Sequence, residues 1–235
     1  VQFADRKVLV VGGSSGIGAA VVKSLIVQGA EVYNLSRTAS SEDGVSNISL
    51  DVTSDFSAIE GLPDSLDGLV YCPGTINLKP FQALKLEDYQ RDMEVNLFGA
   101  IKVIKATLKL LKKGTAASVV MYSTVAVSQG MSYHSSIAAA KGAVEGLVKT
   151  LAAENARSNI RFNAIAPSLT DTPLAANLLS SEEKVKASED RHPLKKVGTA
   201  GEMSDATLFL LGSQSTWMTG QVLHIDGGMS SIRPL

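Results

Sequence analysis

The apolar run Lys7-Val8-Leu9-Val10-Val11 empties directly into Gly12-Gly13-Ser14-Ser15-Gly16-Ile17-Gly18. No other stretch restricts the fold as strongly. An apolar run bounded by charge on one side and glycine on the other reads as a buried parallel strand. Glycines at its end permit a tight turn and let the backbone approach a bound group closely. The segment from about Ile17 to Gln28, stopped by Gly29, reads as a helix, and the free N–H groups at its start suit negative charge. Strand, glycine turn and helix start in this order point to a bound pyrophosphate, hence to a nucleotide; the alternative is a purely structural turn.

The alternation continues along the chain. Glu31 to Leu35, Ser46 to Leu50, Leu66 to Val70 (running on into Tyr71-Cys72-Pro73-Gly74), Ala117 to Tyr122, Ile160 to Ala166 and Gln221 to Ile225 read as further strands. Leu86 to Leu111, as one helix or two, then His134 to Ala156 and Ser204 to Leu211 read as helices between them. The pattern predicts an α/β fold, a Rossmann-like doubly wound parallel sheet of about seven strands with helices on both faces. Right-handed crossovers would bring the carboxyl ends of the strands to one rim. With no break in composition, residues 1–235 read as a single domain. Residues 173–200 are polar and broken by Pro193 and Gly198, which fits a lid on the substrate side or an ordinary surface excursion.

A formal net charge of −1 and the lack of any basic block argue against nucleic-acid or anionic-membrane partners. The apolar runs fall far short of the roughly 18 residues of a membrane span. Cys72, the only cysteine, can form no internal disulfide and reads as a small buried hydrophobe rather than a reactive thiol. His134, His192 and His224 show no metal-ligand spacing, so no metal is expected. With the first strand reached by Lys7 and no leader read ahead of it, the expected location is the cytoplasm.

The spacing Gly12, Gly16, Gly18 resembles the first loop of the classical short-chain dehydrogenases/reductases, Thr-Gly-x-x-x-Gly-x-Gly, with Val11 in place of the threonine. The resemblance covers essentially the whole chain. It implies a nicotinamide cofactor held by Gly12, Ser14, Ser15, Gly16, Ile17 and Gly18. Asp51-Val52 resembles the pair beside the adenine, and Gly74 survives from the usual Asn-Asn-Ala-Gly. Asn163-Ala164-Ile165-Ala166-Pro167-Ser168 resembles Asn-x-x-x-Pro-Gly, so Pro167, the Leu169 amide and Thr172 would face the carboxamide. Thr219-Gly220-Gln221 and Asp226-Gly227-Gly228 resemble the C-terminal signature at the subunit interface, and a homodimer or homotetramer is implied. At the end of the second strand, Ser36, Arg37 and Thr38 offer no carboxylate to repel a 2′-phosphate. A hydroxyl with a guanidinium can hold one, which favours NADP(H) and leaves NAD(H) open. Arg37 as a solvated surface arginine is the alternative.

In that family a tyrosine moves the substrate's proton, a lysine four residues on tunes it and holds the ribose, a serine polarises the carbonyl, and an asparagine completes a proton relay. The matching positions here are Ile137, Lys141, Thr124 and Asn96. Threonine keeps the hydroxyl. Isoleucine offers neither a proton nor a hydrogen bond. His134, seven residues before Lys141, falls only about 20° off its helical face and about 10 Å along the axis. A histidine titrates near neutrality and could supply the proton. Tyr133 is the other candidate, from the turn before the helix. Leu174, Leu178, Leu179, Leu194, Met131 and Trp217 could shape a pocket for a small organic substrate. Three readings follow: a reductase of a carbonyl or activated double bond with a displaced proton donor; a carbonyl reductase with a weakened relay; and a nucleotide-binding protein that has lost catalysis.

Overall fold

The computed structural model describes residues 2–233. In chain order its strands are β1 (Lys7–Val11), β2 (Glu31–Ser36), β3 (Val45–Ser49), β4 (Gly68–Tyr71), β5 (Ser118–Tyr122), β6 (Arg161–Pro167), β7 (Thr170–Asp171), β8 (Gly198–Thr199) and β9 (Val222–Ile225). Seven of them form one parallel sheet in the order β3-β2-β1-β4-β5-β6-β9, and β7 pairs with β8. The order reverses between β1 and β4, and in such sheets a crevice opens there, beyond the carboxyl ends of the strands. The helices are α1 (Gly16–Val27), α2 (Leu86–Met93), α3 (Gly99–Lys113), α4 (Val125–Gln129), α5 (Ser135–Asn155), α6 (Glu182–Arg191) and α7 (Ala200–Leu211).

Alternation along each strand divides the core. Leu9, Val11, Leu69, Val119, Met121 and Phe162 pack on the face covered by α3 and α5. Val8, Val10, Val70, Val120 and Ile165 pack on the opposite face with Leu25 of α1 and Leu208 of α7. A side chain buried this fully stabilises by about 1.5–3 kcal/mol. This explains the uninterrupted apolar runs of β1 and β5, since a strand covered on both faces has no polar side.

Two local departures from the sequence expectations matter. The segment expected as helix from Leu86 to Leu111 is interrupted by a π-helical turn, Glu94–Phe98, that contains Asn96. Residues 173–200, where no helix is expected from the sequence, carry a 3-10 helix, Pro173–Leu179, and then α6, capped by the Ser181 hydroxyl accepting from the Lys184 amide.

Tyr71, which stands where the resemblance calls for an asparagine, is buried, and its hydroxyl donates to the Val95 carbonyl at 2.6 Å. It thereby ties the end of β4 to the π turn. Tyr71→Phe is expected to lower unfolding stability by about 0.5–1.5 kcal/mol, the net worth of a typical intramolecular hydrogen bond. Urea denaturation checks this; an unchanged midpoint would show that the tie contributes nothing.

Candidate active site

The glycine turn is built for close approach. Gly12 has φ +77°, and a Cβ on Gly18 would overlap the Gly12 carbonyl oxygen. The Gly13 amide donates to Asn34 Oδ1 at 2.9 Å, which fastens the turn to buried Asn34 of β2. Ser15 caps α1 without any side-chain hydrogen bond, so the first helical N–H groups keep their donor capacity for another acceptor. A cleft of about 1220 Å³ runs from this turn along the carboxyl ends of the strands.

Gly12, Ser14, Ser15, Gly16, Ile17 and Gly18 line one end of the cleft. Ser36, Arg37 and Thr38 line it at the end of β2, and Asp51 and Val52 beyond β3. Gly74 and Thr172 border its inner end. Ser36 Oγ is engaged with Asn34 and the Thr38 carbonyl. Arg37 is exposed and takes part in none of the salt bridges found among the described residues. Asp51 Oδ1 accepts from the Thr53 amide at 2.9 Å and its hydroxyl at 2.7 Å, and these bonds hold the carboxyl below its ordinary range. Anion-seeking amides, a free guanidinium and a carboxylate along one groove suit a dinucleotide.

A second cavity of about 560 Å³ adjoins the first; Ile17, Cys72, Gly74, Thr75, Thr172 and Leu174 line both. Lys141, Thr124, His134 and Ile137 face it from one side, and Pro167, Ser168 and Leu169 from another. Lys141 is buried and donates to the Tyr122 carbonyl at 2.8 Å; burial pushes its pKa down to about 8. Thr124 caps α4, and its hydroxyl oxygen accepts from the Ala126 amide at 3.3 Å, so its own proton remains available. Ile137 is only 6% exposed and presents hydrocarbon to the cavity. Cys72 borders both cavities with its thiol pushed up to about 12 by burial, so it stays protonated and behaves as an apolar group.

The two candidates for the missing phenol part company. His134 is the N-cap of α5 rather than a residue within its first turn. Its Nδ1 lies 2.7 Å from the Ser132 carbonyl. A carbonyl only accepts, so Nδ1 carries the hydrogen of this bond, and Nε2 has no hydrogen-bond partner among the described residues. Tyr133, at φ +69°, is 59% exposed and borders neither cavity. Asn96 is buried behind both cavities, its amide donating to Thr75 Oγ1 at 2.9 Å and the Asp92 carbonyl at 2.8 Å.

His192 was not singled out by its position in the sequence, yet the fold brings it to the same cavity as His134. Its Nδ1 lies 2.7 Å from the Ser188 carbonyl and its Nε2 2.8 Å from Ser168 Oγ. No spacing rule would pair residues 24 apart across a loop. The segment expected to act as a lid does border this cavity, through Leu174, Ala175, Leu178 and Ala187. Leu179 and Leu194 do not, and fully exposed Trp217 stands away from it, whereas Met131 borders it. Among the described residues no group of His, Cys, Asp or Glu is placed to hold a metal ion.

A parallel doubly wound sheet with a glycine-turn cleft at its switch point and a lysine-bearing cavity beside it places the chain among the Rossmann-like α/β proteins, the class in which a cleft at this point can hold a dinucleotide. The family model described as enoyl-(acyl carrier protein) reductase matches residues 11–230. A tropinone reductase homolog of Arabidopsis thaliana is 35% identical over 94% of this chain and 92% of its own. L-xylulose reductase of Bos taurus is 33% identical over 97% and 98%. The solved structure of ElxO with NADP bound superposes with a TM-score of 0.86 at 28% identity, covering 97% of this chain and all of that one (100%). The chain belongs to the classical short-chain dehydrogenase/reductase family, and it is an oxidoreductase of that type.

Proposed function

We propose that this protein is an NADP(H)-dependent reductase of a carbonyl or activated double bond in a small organic molecule, with His134 supplying the proton that a tyrosine supplies elsewhere in the family. The observation that carries this reading is the shared cavity: Lys141, Thr124 and His134 line it together, while Ile137 fills the tyrosine position with hydrocarbon. The cofactor would supply hydride, and the residues around the cleft fit it. The amides at Gly16 to Gly18 and the Ser14 and Ser15 hydroxyls would hold the pyrophosphate; Asp51 would accept from the adenine amine. Arg37, with Ser36 and Thr38, would hold a 2′-phosphate, and the NADP-bound relative supports that choice. Lys141 would bind the nicotinamide ribose, and Thr124 would donate to the substrate oxygen. His134 Nε2, when protonated, would act as general acid. An activated double bond tolerates the loss of the phenol best, because hydride goes to carbon and the enolate can be protonated from water.

The test is a pair of binding isotherms, NADPH against NADH, with cofactor oxidation followed in the same samples against enones, diketones and aldehydes. Tighter binding of NADPH is expected, and Arg37→Ala should weaken NADPH about 10-fold or more while leaving NADH unchanged. Equal affinities in the unaltered protein would remove the assignment of NADP(H). One observation favours a second reading, a nucleotide-binding protein with catalysis impaired: no polar atom replaces the phenol at Ile137 itself. Binding without turnover, restored by Ile137→Tyr, would establish that reading instead.

A further inference from the structure

Asp92 lies on α2, four residues before Asn96, and is 1% exposed. Its Oδ1 accepts from Thr75 Oγ1 at 2.6 Å, and Thr75 Oγ1 in turn accepts from Asn96 Nδ2 at 2.9 Å. The second Asn96 amide hydrogen goes to the Asp92 carbonyl at 2.8 Å. Both amide hydrogens are therefore committed, and this fixes which way the side-chain amide is turned. Asn96 Oδ1, which has no partner, points elsewhere. It faces Gly74: a Cβ there would lie 3.3 Å from Asn96 Oδ1 and 3.6 Å from Lys141 Nζ, so amide oxygen and ammonium converge on the same spot.

A buried ammonium needs an anion nearby. Among the described residues Lys141 forms no salt bridge. Burial disfavours its charge; of the two groups that favour it, Cys72 and then Asp92, only Asp92 is a carboxylate, and its bonds through Thr75 and Asn96 hold it behind the spot on which Lys141 Nζ and Asn96 Oδ1 converge. The Cys72 thiol is neutral where Lys141 titrates. The Tyr122 phenol, held well above its ordinary range by burial, is neutral too. His134 faces the cavity from the start of α5, His192 from beyond the end of α6, and Lys184 and Arg191 from α6; none of these supplies negative charge. Glu145 of α5 is engaged by Ser123 Oγ. Asp92 Oδ2 has no hydrogen-bond partner.

We infer that Asp92 and Thr75 are positioning residues for the Lys141–Asn96 pair: the Asp92 carboxylate is the counter-charge of the lysine, and the Thr75 hydroxyl clamps the Asn96 amide with its oxygen toward it. The inference rests on the reading of Lys141 as the ammonium of the site and is independent of which substrate is reduced. In a site without a phenol this pair sets the charge and direction of the remaining polar groups.

The test uses the whole protein without substrate. Lysine is labelled with carbon-13 at Cε, and Lys141 is assigned by its disappearance in Lys141→Met. Asp92→Asn, which keeps an oxygen for Thr75, should lower the Lys141 titration midpoint by about 1 pH unit. An unmoved midpoint would overturn the counter-charge. The side-chain amide of Asn96 should be protected from hydrogen exchange in the unaltered protein and in Thr75→Ser, and lose about 10-fold or more of that protection in Thr75→Val. Retained protection in Thr75→Val would overturn the clamp, and this arm stands even where Asp92→Asn does not fold. Absence of turnover with every substrate would count against the reductase reading and leave both measurements decisive for this one.

Discussion

His134→Phe is expected to lower the rate of NADPH-dependent reduction by about 10²- to 10⁴-fold, the range a positioned general acid contributes. Phenylalanine keeps a ring at the mouth of the cavity and removes only the nitrogens, so packing at the start of α5 should survive. The Kd for NADPH should stay within about twofold, because His134 borders the second cavity and not the nucleotide cleft. The prediction separates His134 from Tyr133: Tyr133→Phe should leave the rate unchanged, since that side chain is exposed and lines neither space. Rapid-quench measurement of a single turnover reads the chemical step itself. Full activity in His134→Phe would send the search for the acid to His192 and Ser168, which are hydrogen-bonded to each other on the cavity wall.

Gly18→Ala should abolish useful nucleotide binding. A methyl group there overlaps the Gly12 carbonyl oxygen, a backbone atom that no rotamer change can move. Forcing the turn open costs about 3 kcal/mol, the upper end of overpacking penalties. In a chain of this length that amounts to a fall in Tm of roughly 6–12 °C. The Gly12 end of the turn would move away from the start of α1, and the amides would no longer converge. Loss of comparable size from binding is about 100-fold in Kd. Calorimetric titration with NADPH and a thermal melt on the same sample check both halves. A variant that binds normally would show that the closeness of Gly12 and Gly18 is incidental to the cofactor.

How much of this was legible beforehand differs from element to element. The sheet was readable because strands covered on both faces must be largely apolar, as β1 is after Lys7, β4 throughout and β5 after Ser118. The glycine turn was readable because the reason for each glycine is local. α6 was not: Glu182 to Arg191 is nearly all charged and polar, so no apolar stripe announced it, and its order comes from the Ser181 cap and from packing beside the cavity. His192 with Ser168, and Asp92 with Thr75, were invisible for another reason. Each pair joins residues from separate elements, and only the folded chain sets 2.8 Å and 2.6 Å between them. His134 was found by helical phase, although it caps the helix instead of belonging to it; its place on the cavity survives because the N-cap is still held to the first turn, the Ala138 amide donating to its carbonyl at 2.8 Å. Ile137 shows the converse. Its identity was plain in the sequence, and only the fold shows that its side chain is buried on the cavity wall beside Lys141, Thr124 and His134.

The π turn at Glu94–Phe98 gives the chain a vulnerability of counting rather than of chemistry. Such a turn spends one residue more than a regular helix needs for the same number of turns. Loss of Glu94 or Val95 would let the two helices fuse into one smooth rod, with every residue type of the site still present. Everything ahead of the deletion would then be rotated by about 100° relative to α3. Asp92 and Asn96 would no longer reach Thr75 together. A homologue differing here by one gap could therefore keep the fold and every recognisable motif and still be wired differently at its centre.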